Sequence, residues 1–159
     1  MEDKIHIIKG SIFNDKRGTI WTSWKKNKKI SIKFNHDKFS MSKKNVLRGL
    51  HYDNKTWKLV SCVYGKVYFT VVKCNPSSKN YLKVFTKILN DKENIQILIP
   101  PKYANGHLCL SKVCLFHYKL SYKGSYVDVK DQKVLKWNDK RLKIKWPTKK
   151  NLITSIRDK

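Results

Sequence analysis

The strongest constraint on the fold is that the chain breaks into short apolar runs with scarcely any helical periodicity. Residues 18–24 (GTIWTSW), 30–34 (ISIKF) and 67–72 (VYFTVV) are rich in β-branched and aromatic side chains, which fit a pleated, half-buried surface. The same reading predicts strands at 58–64, 82–88, 95–99, 107–110 and 113–120. Gly65 and Lys66 separate two of these runs, which predicts a hairpin with Gly65 at its turn. Pro76, Pro100, Pro101, Gly106 and Gly124 punctuate the rest, and residues 90–94 (NDKEN) suggest a turn, helical at most. Many short strands at regular spacing predict an all-β sandwich or jelly-roll barrel with few short helices. No internal repeat or Gly/Ser-rich linker divides the chain, so one domain over residues 1–159 is expected.

The apolar content of 40 %, with 12 % aromatic residues, is that of a globular chain. No run approaches the ~18 apolar residues of a membrane-spanning helix. Residues 1–10 have no signal-peptide core, which points to the cytoplasm. The formal charge is +25, from 36 Lys and Arg against 11 Asp and Glu. Such a surface attracts phosphates, so nucleic-acid binding has to be weighed. Arg, the residue of bidentate base and phosphate contacts, occurs only at 17, 48, 141 and 157, and the lysines are scattered along the chain. Helix-turn-helix and zinc-finger patterns are missing. The charge therefore reads as a solvated Lys-rich surface with no nucleic-acid or membrane partner, compatible with an anionic small substrate such as a nucleoside diphosphate.

Cys62, Cys74, Cys109 and Cys114 form no C-x-x-C pair and read as buried free thiols. Histidines stand at 6, 36, 51, 107 and 117 with no H-x-H, so no metal site is expected. Glycine-rich nucleotide loops and the G-x-S-x-G elbow are absent, and no cofactor is expected. What remains is a set of polar residues in strand-like sequence: Arg48, His51, Lys58 and Tyr118, with Asp158 next to the last residue. Taken singly, a structural role suffices for each of these except His51.

Together these runs resemble the dTDP-4-dehydrorhamnose 3,5-epimerase family of cupin-like enzymes. Asp15-Lys16-Arg17-Gly18 is similar to its D-x-R-G, and Val46 to Tyr52 (VLRGLHY) repeats its central motif letter for letter. Lys58-Leu59-Val60, Gly65-Lys66-Val67, Ile99 to Ala104 (IPPKYA), Tyr118-Lys119, Trp137-Asn138-Asp139, Ile144 to Pro147 (IKWP) and Ser155 to Asp158 (SIRD) follow in family order. Four segments resemble more closely the epimerases of GDP-4-keto-6-deoxy-heptoses that serve bacterial capsule synthesis. They are His36 to Ser40, Lys55 to Leu59, Cys62 to Gly65 and Tyr122 to Asp128.

The resemblance implies a cupin barrel that inverts C3, C5 or both in a nucleotide-linked 4-keto-6-deoxy sugar, without metal or redox cofactor. The C4 ketone acidifies its neighbouring C–H bonds, because deprotonation gives an enolate. His51 is implied as the base, with Asp158 orienting it. Lys58 would stabilise the enolate, and Tyr118 would deliver a proton to the opposite face. Arg17 and Arg48 are implied as ligands for the diphosphate or the sugar. The family's A-H-G is Ala104-Asn105-Gly106 here, with His107 following, and its Q-x-N is His36-Asp37-Lys38. Asn105, His107 and Lys38 are therefore expected among the substrate-binding residues. A homodimer exchanging N-terminal strands is implied as well. The other readings are a dTDP-hexose epimerase proper, or a non-catalytic cupin that binds a sugar nucleotide.

Overall fold

A computed structural model describes residues 4–26 and 30–159, so the first three residues of the 1–10 segment lie outside it. One antiparallel sheet has the order β1 (His6–Lys9), β9 (Ile95–Ile99), β6 (Trp57–Tyr64), β11 (Val113–Ser121) and β4 (His36–Lys43). The other runs β12 (Lys133–Val134), β5 (Leu47–Tyr52), β10 (Tyr103–Cys109), β7 (Lys66–Lys73) and β8 (Val84–Asn90). β2 (Ile12–Asp15) and β3 (Gly18–Trp21) pair as a separate hairpin. Among the described residues the only helical pieces are three short 3-10 turns. The architecture is the expected jelly-roll barrel.

Strand alternation builds two apolar layers. Between the sheets, Val60, Cys62, Ile97, Ile99 and Phe116 meet Val67, Phe69, Val71 and Leu89, with the Phe69 and Phe116 rings 5.4 Å apart. On the outer face of the second sheet, Leu47, Leu50, Val72, Ala104 and Leu108 are covered by Leu142, Ile144 and Trp146 from the chain after β12. The Trp146 indole donates to the Trp137 carbonyl at 3.0 Å, which seats the late aromatics in that groove. β10 is thus buried along its whole length, whereas β5 buries Leu47, Gly49 and Leu50 but leaves Arg48 exposed. The four cysteines are buried free thiols.

Two expectations about the strands need correction, and one strand, β4, was not expected. Residues 30–34 form no strand, and the pairing in this stretch begins at His36. Gly65 turns no hairpin. β6 pairs with β9 and β11 while β7 pairs with β8 and β10, so the chain changes sheets at this residue. Gly65 has φ +78°, and an added Cβ would lie 2.3 Å from the Val113 carbonyl oxygen, so the corner needs glycine. β4 (HDKFSMSK) carries Phe39 and Met41 exposed on one side, whereas Lys38 and Ser40 line a cavity on the other. Its polarity is inverted relative to an ordinary core strand, which hides it from a hydrophobicity reading.

Candidate active site

One irregularity of the ladder places the central histidine. β10 and β5 pair Asn105 with His51 and His107 with Arg48, so Gly49 and Leu50 together stand opposite Gly106. In a regular strand, residues three apart point to opposite faces. The extra residue resets the alternation, and Arg48 and His51 both line the same cavity while Leu47 and Leu50 face the outer layer. Gly49 has φ +110°, and a Cβ there would meet the Asn105 carbonyl oxygen at 2.7 Å. The glycine of the R-G-L-H run is what lets the two backbones approach.

The cavity, about 210 Å3, opens between the sheets. His51 Nε2 and Asp158 Oδ1 are 2.6 Å apart. Asp158 is 4 % exposed, although it is the next-to-last residue of the sequence. Its segment is tied down by a parallel bridge between Val46 and Ile153, and by Leu47 N–H donating to the Ile153 carbonyl at 2.9 Å. Burial raises the Asp158 carboxyl, but the hydrogen bond and charge of His51, helped by Ser155 and the Gly49 N–H, outweigh it and hold the group below its ordinary value. A carboxylate on one ring nitrogen leaves the other to work as acceptor, the arrangement of an oriented general base.

Lys58 enters from β6 of the first sheet and donates to Asn105 Oδ1 of the second at 2.9 Å. It also lies 3.4 Å from the His51 carbonyl oxygen. Burial pushes the Lys58 ammonium down to about 8, and the Asp53 charge offsets this only in part. Tyr118, on β11, lines the cavity too, and burial pushes its phenol up to about 12. The phenol therefore stays protonated across the physiological range. His51 and Tyr118 belong to strands of opposite sheets, so the imidazole and the phenol reach the cavity from different sides.

Of the expected binding residues, Arg48, Asn105 and Lys38 line this cavity. Arg48 Nε donates to Ser42 Oγ at 2.9 Å, and Lys38 lies 5.4 Å over the Tyr126 ring. His107 does not take part in the wall. It is fully buried with its ring stacked on Phe116 at 4.4 Å, and desolvation, reinforced by Arg48, pushes it down to about 3. Two residues beyond Asn105 on one strand face, it sits one step deeper, in the core. Arg17 is also outside the cavity of its own chain. It is exposed at the β2–β3 turn and paired with Asp15 at 2.6 Å. Thr56, Tyr126, Gln132, Ser155 and Arg157 line the cavity without having been singled out. Thr56 and Tyr126 fall within the heptose-type segments, which was the available signal. Among the described residues, no three His, Cys, Asp or Glu side chains are placed to share a metal ion.

An imidazole–carboxylate pair facing a phenol across a barrel cavity, with an ammonium beside them, defines an acid–base enzyme on a jelly-roll scaffold. Residues 3–159 match the family model of dTDP-4-dehydrorhamnose 3,5-epimerase, and the chain belongs to that family. The dTDP-4-dehydrorhamnose 3,5-epimerase of Escherichia coli strain K12 is 32 % identical, over 98 % of this chain and 87 % of its own length. Its counterpart in Neisseria gonorrhoeae is 31 % identical, over 97 % of this chain and 48 % of its own. Among solved structures, dTDP-6-deoxy-D-glucose-3,5-epimerase from Legionella pneumophila, in complex with dTDP-4-keto-L-rhamnose, superposes with a TM-score of 0.89 at 30 % identity, covering 97 % of this chain and 84 % of that one. The Bacillus anthracis dTDP-4-dehydrorhamnose 3,5-epimerase, with TDP and pyrophosphate bound, gives 0.86 at 27 %, covering 97 % and 90 %. The protein is thus an isomerase of the carbohydrate-epimerase type, acting on a nucleotide sugar.

Proposed function

We propose that the enzyme inverts C3, C5 or both in a nucleotide-linked 4-keto-6-deoxy sugar by proton transfer through an enolate. The observation that carries this reading is the placement of His51 and Tyr118 on opposite sheets around one cavity, which Lys58 also lines. His51, oriented by Asp158, takes the proton next to the ketone. The Lys58 ammonium meets the charge that develops on the ketone oxygen. Tyr118 returns a proton to the other face, which inverts the centre. Arg48 binds the diphosphate, since a guanidinium fork matches phosphate oxygens.

For the substrate we infer GDP-4-keto-6-deoxy-heptose, on a pathway to capsule or other surface polysaccharide. Its support is that the heptose-type segments supply Lys38, Ser40, Thr56, Lys58 and Tyr126 to the cavity wall, where substrate choice is made. The second reading, a dTDP-4-keto-6-deoxy-hexose, is favoured by the names of the relatives. Incubation with each substrate in D2O distinguishes them. Deuterium at C3 or C5 of one sugar reports both the chemistry and the nucleotide, and no exchange with either substrate would sink the proposal.

We further place residues 1–159 in one working domain, as a homodimer exchanging N-terminal elements. β1 pairs with β9 of its own chain, so the element left to exchange is the β2–β3 hairpin. Its cross-strand pair Phe13 and Ile20 is 67 % and 71 % exposed, an apolar surface that a second copy would cover. A monomeric mass in light scattering would rule the dimer out. The four free thiols suit a reducing compartment, in keeping with the cytoplasm.

A further inference from the structure

Asp158 holds the base, yet the turn that carries it has little apolar anchorage. The 3-10 turn Ile156–Asp158 begins with Ile156 at 88 % exposure. Its backbone bonds, Asp158 N–H to Ser155 at 3.1 Å and Lys159 N–H to Ile156 at 3.4 Å, are internal to the turn. The bridge at Ile153 anchors the chain three residues before the turn starts, and within the turn Asp158 is held through its carboxylate, by His51 at 2.6 Å and the Gly49 N–H at 3.5 Å. A further tie comes from Arg157, whose Nη2 donates to the Gln132 carbonyl oxygen. Gln132 is itself fixed beside the base. Its N–H donates to the Asp128 carbonyl at 3.2 Å, and the next residues, Lys133 and Val134, pair with Tyr52 and His51 on β5.

The Arg157 side chain is more than a solvated surface cation. Its Nη1 is buried and has no hydrogen-bond partner among the described residues, and the residue forms part of the cavity wall. The bond that the guanidinium does make, from Nη2 to the Gln132 carbonyl oxygen, is the tie between the two segments. General-base catalysis depends on position, since an error of roughly 1 Å in an orienting group costs up to about 100-fold in rate.

We propose that Arg157 is a positioning residue: it latches the Ile156–Asp158 turn to the Gln132 carbonyl and so holds the Asp158 carboxylate against His51. The inference rests on the reading of His51 and Asp158 as the oriented base. The test compares Arg157→Met, which keeps the length but not the donors, with Arg157→Lys, which keeps the charge and one donor. Turnover is measured on the 4-keto sugar nucleotide. The short His51–Asp158 hydrogen bond is followed separately through its far-downfield proton resonance, which needs no substrate.

Arg157→Met is expected to lower kcat about 10- to 100-fold, to change KM less than about threefold, and to broaden the downfield resonance away. Arg157→Lys should recover part of both signals. A Met variant that keeps both kcat and the resonance overturns the latch. A rise in KM at constant kcat overturns it too, since that is the signature of a substrate ligand. If Arg157→Met does not fold, Arg157→Ala, which also lacks the donors, takes its place: kcat and the resonance falling together support the latch, and both unchanged overturn it. A wild type inactive toward the sugar would sink the proposed function while the resonance still tests the latch.

Discussion

Lys58 and Asn105 join the two sheets of the barrel through one hydrogen bond, ammonium to amide oxygen, at 2.9 Å. The lysine is 5 % exposed and its direct side-chain acceptor is neutral, so burial dominates and pushes it down to about 8. In the proposed mechanism such an ammonium meets the negative charge that arrives only when the substrate becomes an enolate.

Activity that needs the Lys58 ammonium should therefore fall as pH rises through about 8. Asn105→Asp sets a carboxylate where the amide oxygen now lies, which favours the charged lysine and moves this alkaline limb upward. The same carboxylate competes with the enolate for the cation, so kcat should drop about 100-fold. The pH dependence of kcat/KM for the two proteins checks both parts. An alkaline limb that stays in place removes Lys58 as its source.

Lys58 also makes a prediction about stability. Its folded value of about 8 lies below the ordinary 10.5, so the folded state binds fewer protons than the unfolded chain between these limits. The wild type thus carries the full burial penalty below about 8, of order 3 kcal/mol, and loses it as pH rises toward 10.5. Lys58→Met removes the penalty but leaves Asn105 Oδ1 without its donor, which returns about 1 to 2 kcal/mol. The variant should be inactive yet have a higher Tm than the wild type near neutral pH. The advantage should vanish at roughly pH 9 to 10, where the remaining penalty equals the lost hydrogen bond, and reverse above it. A lower Tm at neutral pH would contradict the buried-cation account.

Tyr118 is kept as a phenol by burial, with its value pushed up to about 12, and in the proposed mechanism it donates the proton on the face away from His51. Tyr118→Phe leaves the base intact. His51 should still exchange the sugar proton with solvent, so deuterium enters from D2O without inversion. Recovered substrate examined by NMR should carry the label in its original configuration. Inversion at an unimpaired rate would show that another group delivers the proton.

Strands buried on both faces or facing the inner layer, such as β6, β7, β9 and β11, were legible as apolar runs. β4 was not, because the cavity makes its inner face polar while Phe39 and Met41 stay outside. The sheet change at Gly65 was illegible for a different reason: a two-residue connection looks the same whether its strands pair or part, and only the contact with Val113 decides. Arg48 and His51 were found through their motif, but their shared face depends on a bulge that no alternation rule announces. Asp158 lies 107 residues from His51, and only the resemblance linked them. That resemblance misled at His107, where a β10 side chain two residues past Asn105 points the same way but ends against Phe116 in the core.

The bulge supplies the last prediction. A Cβ added at Gly106 would lie 2.5 Å from the Arg48 carbonyl oxygen and 2.8 Å from Leu50 Cδ2. Backbone is the first obstacle, so the clash is relieved only by moving β5 away from β10. Asn105 pairs with His51 across this contact, and Lys58 bonds Asn105, so the shift acts directly on the base and the cation. Gly106→Ala should cost about 2 kcal/mol or more in stability. It should also lower kcat more than His107→Phe, which alters the core beside the bulge without pushing the strands apart. Thermal unfolding and turnover of both variants decide the matter. A Gly106→Ala enzyme with wild-type kcat would mean that the spacing of β5 and β10 does not set the position of His51.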